Sequence, residues 1–225
     1  TSTRFILLTC LLLCAYACGK RPYPKSLIVA DSLASARPDS AIALLNTLKE
    51  SMKAESEATR MYYRLLCIKA NDKAYIRHTS DSLILPVLHY YTEKKDEHHL
   101  PEAYYYAGRV YRDLEDAPLA LDYFQKAIDA LPDNKGYRLK SKIYSQMGTL
   151  FLYQKTYDEA LKILKEARKC NIALKDSASM VFNLRDIANG YRCLDQNDSS
   201  LYYLRKAYYI AKVLRNYDLM AMVQS

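Results

Sequence analysis

Histidine and cysteine, the side chains that most often carry catalysis or bind metals, are few in this chain of 225 residues and badly spaced for either task. The four histidines are His78, His89, His98 and His99, and the last two end the run Asp96-Glu97-His98-His99. Adjacent side chains point about 100° apart on a helix, so this run predicts a solvated turn rather than a metal site. The sequence also lacks a Gly-rich phosphate loop, a His-Glu-x-x-His motif and a Gly-x-Ser-x-Gly motif. We therefore expect a protein that is not an enzyme, with no cofactor and no metal.

The three cysteines beyond Cys18 are Cys67, Cys170 and Cys193, and none belongs to a Cys-x-x-Cys motif. The helices predicted below offset Cys170 from Cys193 by roughly 20 Å along antiparallel axes. That distance is beyond the reach of a disulfide bond. We expect these cysteines to be small core residues rather than reactive or metal-binding thiols.

Composition narrows the fold class. The chain has 33 Lys and Arg against 25 Asp and Glu, a formal charge of +8, and half of its residues are apolar. This is the composition of a globular protein and excludes a disordered or collagen-like chain. Five glycines and seven prolines are too few for a turn-rich all-β fold.

The start of the chain, over 1–17, has the pattern of a secretory signal peptide: Arg4, an apolar stretch, then small residues. The apolar stretch over 5–17 falls short of the roughly 20 residues that a membrane-spanning helix needs. A buried core helix is the alternative, but this stretch has no polar face to present to water.

Cys18 follows this stretch directly. Ala15-Tyr16-Ala17-Cys18 resembles the lipobox of bacterial lipoproteins, although Ala15 and Tyr16 depart from its usual residues. The resemblance implies that Cys18 is lipidated and that residues 18–24 form a short basic tether. Ordinary cleavage after Ala17 would instead leave Cys18 as a plain N-terminal thiol.

Two patterns recur with a period of 40 in the residue numbers. The first appears as Tyr104-x-x-Ala107-Gly108-x-x-Tyr111, Tyr144-x-x-Met147-Gly148-x-x-Phe151 and Leu184-x-x-Ile187-Ala188-x-x-Tyr191. The second appears as Ala120-Leu121-x-x-Phe124-x-x-Ala127, Ala160-Leu161-x-x-Leu164-x-x-Ala167 and Ser200-Leu201-x-x-Leu204-x-x-Ala207. Apolar residues at these spacings form one face of a helix, so each repeat unit predicts two helices.

This order of large and small residues resembles the tetratricopeptide repeat (TPR), whose usual period is about 34 residues. The resemblance implies an all-α, right-handed α-solenoid of antiparallel helix pairs. Residues 98–225 are the TPR-like repeats, and the pattern predicts that they stop inside a further repeat of a longer protein. Residues 25–97 are expected to form an N-terminal cap and degenerate repeats, with helices over 25–36, 39–49, 55–70 and 79–92.

Three local features support the helix pairs. Gly148 lies in mid-helix, so we expect it to be a packing contact, where leucine would overpack and alanine would be mild. Thr156 with Glu159 predicts a capping box at the start of a second helix. Pro118 lies where a first-turn proline is tolerated.

In a TPR-like unit, positions 2, 5, 9 and 12 of the first helix line the concave groove. Counted from Pro101, Ser141 and Val181, these positions include five basic residues and one acid, Glu102. They suit an extended acidic or aromatic ligand, and the alternative is that the cations only keep the groove soluble. The candidate partner-binding residues are Tyr105, Arg109, Arg112, Lys142, Phe182, Arg185 and Arg192.

The combination of export signal and repeats resembles exported TPR proteins of the Bacteroides type. It implies a lipid-anchored scaffold in the bacterial cell envelope, facing the periplasm, that binds a protein or peptide and contacts the membrane through the lipid on Cys18. The alternative is the periplasmic sensor half of a longer membrane-tethered signalling or transcription regulator. Nucleic acid is not expected as a partner, because export removes it. Tyr105 and Arg109 stand where carboxylate-clamp TPR proteins carry Lys and Asn, so binding of chaperone tails is not supported.

Overall fold

The computed structural model describes residues 23–132 and 136–224. The signal peptide over 1–17 and the lipidation of Cys18 lie outside the described residues, as does most of the tether. The chain divides into two compact units, the first ending at Ile76 and the second beginning at Arg77. All regular secondary structure in the described residues is helical.

The first unit contains three α-helices, α1 (Lys25–Ala36), α2 (Pro38–Leu48) and α3 (Glu57–Lys73), with a 3₁₀ turn at Ser51–Ala54. Leu27, Leu45 and Leu66 form its buried core. The Tyr23 ring stacks on Tyr62 with centroids 4.1 Å apart. The helices predicted over 25–36 and 39–49 agree with α1 and α2 to within a residue, which is the usual uncertainty of helix ends.

The second unit contains eight described helices. They are α4 (Ile84–Glu93), α5 (Leu100–Asp113), α6 (Ala117–Asp129), α7 (Tyr137–Tyr153), α8 (Tyr157–Leu174), α9 (Ser177–Cys193), α10 (Asn197–Val213) and α11 (Tyr217–Gln224). Short turns join α5 to α6, α7 to α8 and α9 to α10, so each pair packs as an antiparallel hairpin. The predicted all-α solenoid of helix pairs is confirmed. The helix predicted over 79–92 begins only at Ile84. Residues 79 and 80 have no regular structure, and the chain then bends at Asp81, whose carbonyl oxygen accepts the backbone N–H of Ile84 at 3.0 Å.

Several helices end in the same unusual backbone conformation. The first or second residue after the helix has a positive φ, in the left-handed region that non-glycine residues avoid. These residues are Tyr75, Lys95, Glu115, Lys155, Lys175, Asp195 and Arg215, with φ between 48° and 65°. A left-handed residue lets the chain reverse direction immediately after a helix. The turns within and between the helix pairs are therefore short even though none of these positions is a glycine.

The two predicted helix starts have different outcomes. Pro118 lies in the first turn of α6, as expected, and the Asp116 side chain caps that helix by accepting the backbone N–H of Leu119 at 3.0 Å. The capping box at Thr156 is wrong. The Thr156 hydroxyl donates to the carbonyl oxygen of Phe151 at 3.2 Å and makes no cap. The same carbonyl also accepts the backbone N–H of Thr156 at 3.0 Å, so both groups of Thr156 hold the turn at the end of α7.

The mid-helix glycines are packing contacts. A Cβ placed on Gly148 would lie 2.5 Å from the Leu164 side chain, and one on Gly108 would lie 2.5 Å from the Phe124 ring. Real Cβ atoms do not approach other atoms this closely. A side chain of the second helix therefore occupies the space that a side chain at the glycine would need. This corrects the expectation that alanine at residue 148 is mild, because even one methyl group collides with Leu164.

Gly148→Ala is expected to lower the free energy of unfolding by up to about 2 kcal/mol, since overpacking costs about 1–3 kcal/mol and the gain in helix propensity offsets about 1 kcal/mol. Leu164→Ala removes the side chain that collides, so the two changes together should cost less than the sum of the single changes. Denaturant unfolding of the four proteins measures this coupling. Additive effects would contradict the contact.

A network of hydrogen-bonded polar side chains lies inside the second unit, between α7, α8 and α9. The Ser141 hydroxyl donates to the Asn171 amide oxygen, and the Asn171 amide nitrogen donates to Asn183. The Asn183 amide nitrogen then donates to the Ser145 hydroxyl at 2.9 Å. Asn183 is only 1% exposed. Because buried amides are costly unless they are paired, this network requires the three helices to keep one register.

Asn183→Ala is expected to lower the free energy of unfolding by about 1–3 kcal/mol, because the buried Asn171 amide loses its partner. The double variant Asn171→Leu, Asn183→Ile places at both positions the residues of the preceding repeat, Leu131 and Ile143. It should recover most of the loss, since it removes both amides together. Urea unfolding compares the variants, and a double variant less stable than Asn183→Ala would refute the role of this network.

Candidate functional site

The first helices of successive pairs, α5, α7 and α9, are joined by side-chain hydrogen bonds. Arg112 on α5 donates to the Gln146 amide oxygen on α7 at 2.7 Å. Asn183 on α9 donates to Ser145 on α7. These bonds show that α7 has α5 on one side and α9 on the other. The predicted groove positions therefore lie on three adjacent helices.

A cleft of about 510 Å³ opens between α7, α9 and the described part of α11, and Ser200 and Leu204 of α10 complete its lining. Five of the predicted groove positions line it. They are Thr149 and Leu152 on α7, and Arg185, Asn189 and Arg192 on α9. Met222, Val223 and Gln224 contribute from α11. We call this cleft the inner cleft. It has hydrogen-bonding groups and apolar groups side by side, and its volume is typical of ligand pockets.

Arg112 does not present an isolated positive charge. Its guanidinium donates to Asp113 at 2.6 Å and to Gln146. Burial alone would raise the pKa of Asp113, but hydrogen bonds from Arg112 and from the backbone N–H of His78 hold that pKa below its usual value. Asp113 is therefore charged at neutral pH and neutralises Arg112.

Arg185 is engaged in the same way. Its guanidinium donates to Asp186 at 2.8 Å, contacts the sulfur of Met222 and lies 5.8 Å from the centre of the Phe182 ring. Burial raises the pKa of the Asp186 carboxyl, although the hydrogen bond and the charge of Arg185 oppose that rise. Arg185 thus links α9 to α11 and carries its counter-charge beside it.

Tyr105 lies in the core and not in a groove. Its side chain is 2% exposed and packs near Tyr106 and Phe124, with ring centroids 5.0 and 6.0 Å away. This corrects the expectation that the Tyr105 ring contacts a ligand. A tyrosine ring is large enough to turn from the fifth helix position into the interface with the second helix. Its hydroxyl accepts a long hydrogen bond of 3.4 Å from Arg109.

The other candidate residues are at the surface. Lys142, Phe182 and Arg192 are exposed, and Phe182 shows 45% of its surface. Arg192 donates to Asn189 at 2.6 Å within the inner cleft. Lys142 and Phe182 lie near the starts of α7 and α9, away from that cleft. The structure therefore groups Arg185 and Arg192 in one site and leaves Lys142 and Phe182 outside it.

The residues considered first for chemistry have structural surroundings. The His99 ring stacks on Tyr91 with centroids 5.0 Å apart, and its Nδ1 lies 3.0 Å from Asp96. The run therefore forms a turn with Glu97 and His98 exposed, as predicted, but the His99 side chain is largely buried, which corrects the expectation for that residue. Within residues 23–132 and 136–224, no three histidine, cysteine or acidic side chains are grouped to hold a metal ion. No helix in the same ranges is long and apolar enough to cross a membrane.

The cysteines beyond Cys18 are free thiols, in agreement with the distance argument. Burial raises the pKa of the Cys170 thiol, which makes it less reactive. Cys193 is exposed and lines the inner cleft. It therefore corrects the expectation that all three are core residues.

Asp113, Asp186 and Gln146 were not among the predicted site residues, although Asp113 and Asp186 pair with Arg112 and Arg185 and Gln146 accepts a hydrogen bond from Arg112. Neighbouring residues point about 100° apart on a helix, so a count of facing positions does not pair Arg185 with Asp186. The recurrence of Arg-Asp at residues 112–113 and 185–186 is the sequence signal that was available. The buried Asn183 also had a signal, since its equivalents in the two preceding repeats are Ile143 and Ala103.

Comparisons with known proteins identify the fold through structure alone. No family model matches the sequence, and no curated protein matches it. Among solved structures, a putative kinesin light chain from Podosopora anserina, described as nearly identical TPR-like repeats, is similar at 13% identity and a TM-score of 0.65. The match covers 85% of this chain and 96% of that one.

Two further structures are similar to the same degree. BtubC from P. vanneervenii matches at 13% identity and a TM-score of 0.66, over 85% of this chain and 89% of its own. A Rap protein, solved in complex with Competence and Sporulation Factor, matches at 15% identity and a TM-score of 0.62. That match covers 88% of this chain and 56% of the Rap chain. The repeated helix pairs and these neighbours together show that the chain has the fold of the TPR-like repeat proteins.

Proposed function

We propose that this chain is a non-enzymatic protein-interaction scaffold whose inner cleft binds an extended segment of a partner protein. The single observation that carries the proposal is the meeting of five groove positions, from two helix pairs, around one open cleft. The TPR-like fold supports it, and the Rap neighbour was solved with a bound factor. Function in this chain rests on its own site, since fold alone does not assign function.

The lining of the inner cleft indicates how a segment would be held. Thr149, Asn189 and Arg192 carry hydrogen-bonding groups that match the backbone of an extended peptide, and Leu152 and Met222 offer apolar contact. Because Asp186 neutralises Arg185, Arg192 supplies the net positive charge of the cleft. From the sequence we expected an extended acidic ligand. The cleft favours, more specifically, a peptide that places one acidic residue near Arg192.

The test uses peptides selected from an unbiased display library on the purified chain. Asn189→Ala with Arg192→Glu is expected to weaken their binding about tenfold or more, because it removes two donors and reverses the charge that faces the acidic residue. Arg185 is left intact, since a glutamate there would lie beside the partly buried Asp186. Calorimetric titration gives the affinities.

The matched control is Asn46→Ala with Lys53→Glu, which makes the same changes at exposed positions of the first unit. The control should leave affinity within about twofold. Equal affinities for the cleft variant and the control would refute the proposal.

We place the scaffold in the bacterial cell envelope, facing the periplasm and anchored by a lipid on Cys18. The support is the apolar stretch over 5–17 and the position of Cys18 directly after Ala17. One lipidated residue followed by the basic run Lys20-Arg21 also combines apolar and electrostatic attraction to a membrane.

Cys18→Ala is expected to move the protein from the membrane fraction to the soluble envelope fraction, because it removes the lipid, and two basic residues alone attract a membrane too weakly to hold the protein there. Fractionation followed by immunoblotting measures the shift, and Cys67→Ala is the control. If the Cys18 variant stays with the membranes like the parent, the anchor proposal fails.

A further inference from the structure

A second cleft, of about 480 Å³, lies between α8 and α10 and has α9 as its floor. We call it the outer cleft. Its lining shares no residue with that of the inner cleft, so the two clefts are separate sites. Its lining residues are Arg168 from α8, Met180 and Leu184 from α9, and Tyr202, Arg205, Lys206, Tyr209 and Ile210 from α10.

Three of these residues, Arg168, Arg205 and Lys206, are cationic, and no acidic residue lines the cleft. Within the residues that the structure describes, none of the three has a carboxylate at ion-pair distance. The Lys206 ammonium instead lies over the Tyr202 ring, 4.5 Å from its centre. This differs from the inner face of the unit, where Asp113 and Asp186 neutralise Arg112 and Arg185. The outer cleft therefore groups three cations with no acid in its lining, whereas the inner cleft has Arg192 alone as a cation without a carboxylate beside it.

The remainder of the outer cleft is apolar. Met180, Leu184 and Ile210 form the floor, and the rings of Tyr202 and Tyr209 form its walls. These rings are 53% and 67% exposed, so large aromatic surfaces face water beside the cations. An apolar floor with a cationic rim matches a ligand that has an apolar body and an anionic group at one end.

The preceding repeat shows that this combination is not a general property of the second helices. There the equivalents of Tyr202, Lys206 and Tyr209 are Lys162, Glu166 and Lys169. Lys169 pairs with Glu166 at 2.7 Å. The equivalent surface therefore has a balanced ion pair where the outer cleft has an aromatic ring and a lysine without a carboxylate beside it. The helix pairs fold with either set of residues.

We propose that the outer cleft binds a small amphipathic anion, with its carboxylate or phosphate among Arg168, Arg205 and Lys206 and its apolar body over Met180 and Leu184. The size of the cleft favours a small molecule over a protein partner. Its lining is a handful of residues, whereas a specific protein interface uses about 20–30 residues on each side. Its volume lies within the range of about 300–1,000 Å³ that small-molecule pockets span.

Dodecyl phosphate, used below its micelle concentration, is the probe. Isothermal titration calorimetry with the purified chain is expected to give one site per chain. Inorganic phosphate should bind at least about tenfold more weakly, because it lacks the apolar body. Dodecyltrimethylammonium has the same tail and the opposite charge, and it should show no saturable binding. Raising the salt concentration should weaken binding of dodecyl phosphate, since the cations are exposed.

Two variants copy residues of the preceding repeat, which favours their folding. Lys206→Glu copies Glu166 and Tyr209→Lys copies Lys169, and each should weaken binding of dodecyl phosphate about tenfold or more, through charge in the first case and apolar contact in the second. The matched control is Lys165→Glu, at the position equivalent to Arg205, which should change affinity less than about twofold. Circular dichroism melts verify that the variants are folded.

Several results would overturn the proposal. They are equal binding of dodecyl phosphate by the variants and the control, equal binding of the cationic surfactant, and a stoichiometry of several probes per chain. Binding only to vesicles containing phosphatidylglycerol, with none to the monomeric probe, would point to a membrane surface instead. If the display-selected peptides bind and Lys206→Glu weakens them, while dodecyl phosphate does not bind at all, the outer cleft would instead be a site for a protein partner.

Discussion

In the pairs α5–α6 and α7–α8, a large side chain of the second helix packs where the first helix carries a glycine. Phe124 packs against Gly108, and Leu164 against Gly148. At the third pair, Ala188 takes the equivalent place and is buried. Close approach at this point brings the two helices of a hairpin together along their length. Both clefts depend on this close approach. Their walls are formed by helix faces that do not take part in the contact between the two helices of a hairpin.

Charge is distributed unevenly over this scaffold. On the first helices, the arginines at residues 112 and 185 are held by the aspartates that follow them, and they link neighbouring helices through Gln146 and Met222. Such pairs add little attraction for a distant anion, since the two charges cancel. On the second helices, Arg168, Arg205 and Lys206 have no such acid beside them in the cleft that they line. The formal charge of +8 is thus a poor guide to where an anion would bind.

Sequence reasoning predicted the helix pairs well because their physical cause is local and repeated. Gly108, Gly148 and Ala188 recur at one spacing, and only close packing explains small residues in mid-helix. The predictions were wrong where a side chain at one position can point either into the groove or into the core. Tyr105 occupies a position that faces the groove by count, yet its ring turns into the core. Arg185 reaches an adjacent residue that a helical count places on a different face.

The outer cleft was missed for a different reason. Tyr202, Lys206 and Tyr209 lie on a second helix, whereas the predicted site residues all lie on first helices. The sequence does carry a signal, since Lys206 stands where the preceding repeat has Glu166. The polar network was missed because no period predicts that Asn171 and Asn183 meet. Their contact depends on how α8 and α9 pack, and that is a tertiary property.

The left-handed residues that end the helices recur at intervals of 20, for example at Lys155, Lys175 and Asp195. Turns this short cannot rearrange to compensate for a change in helix length. One residue inserted within a helix would rotate everything after it by about 100°, which would turn a packing face toward water. A block of one whole period, by contrast, carries two complete helices and both of their turns. Length variation in such an array is therefore expected to proceed by gain or loss of whole blocks, so that joints between natural variants fall at these turns.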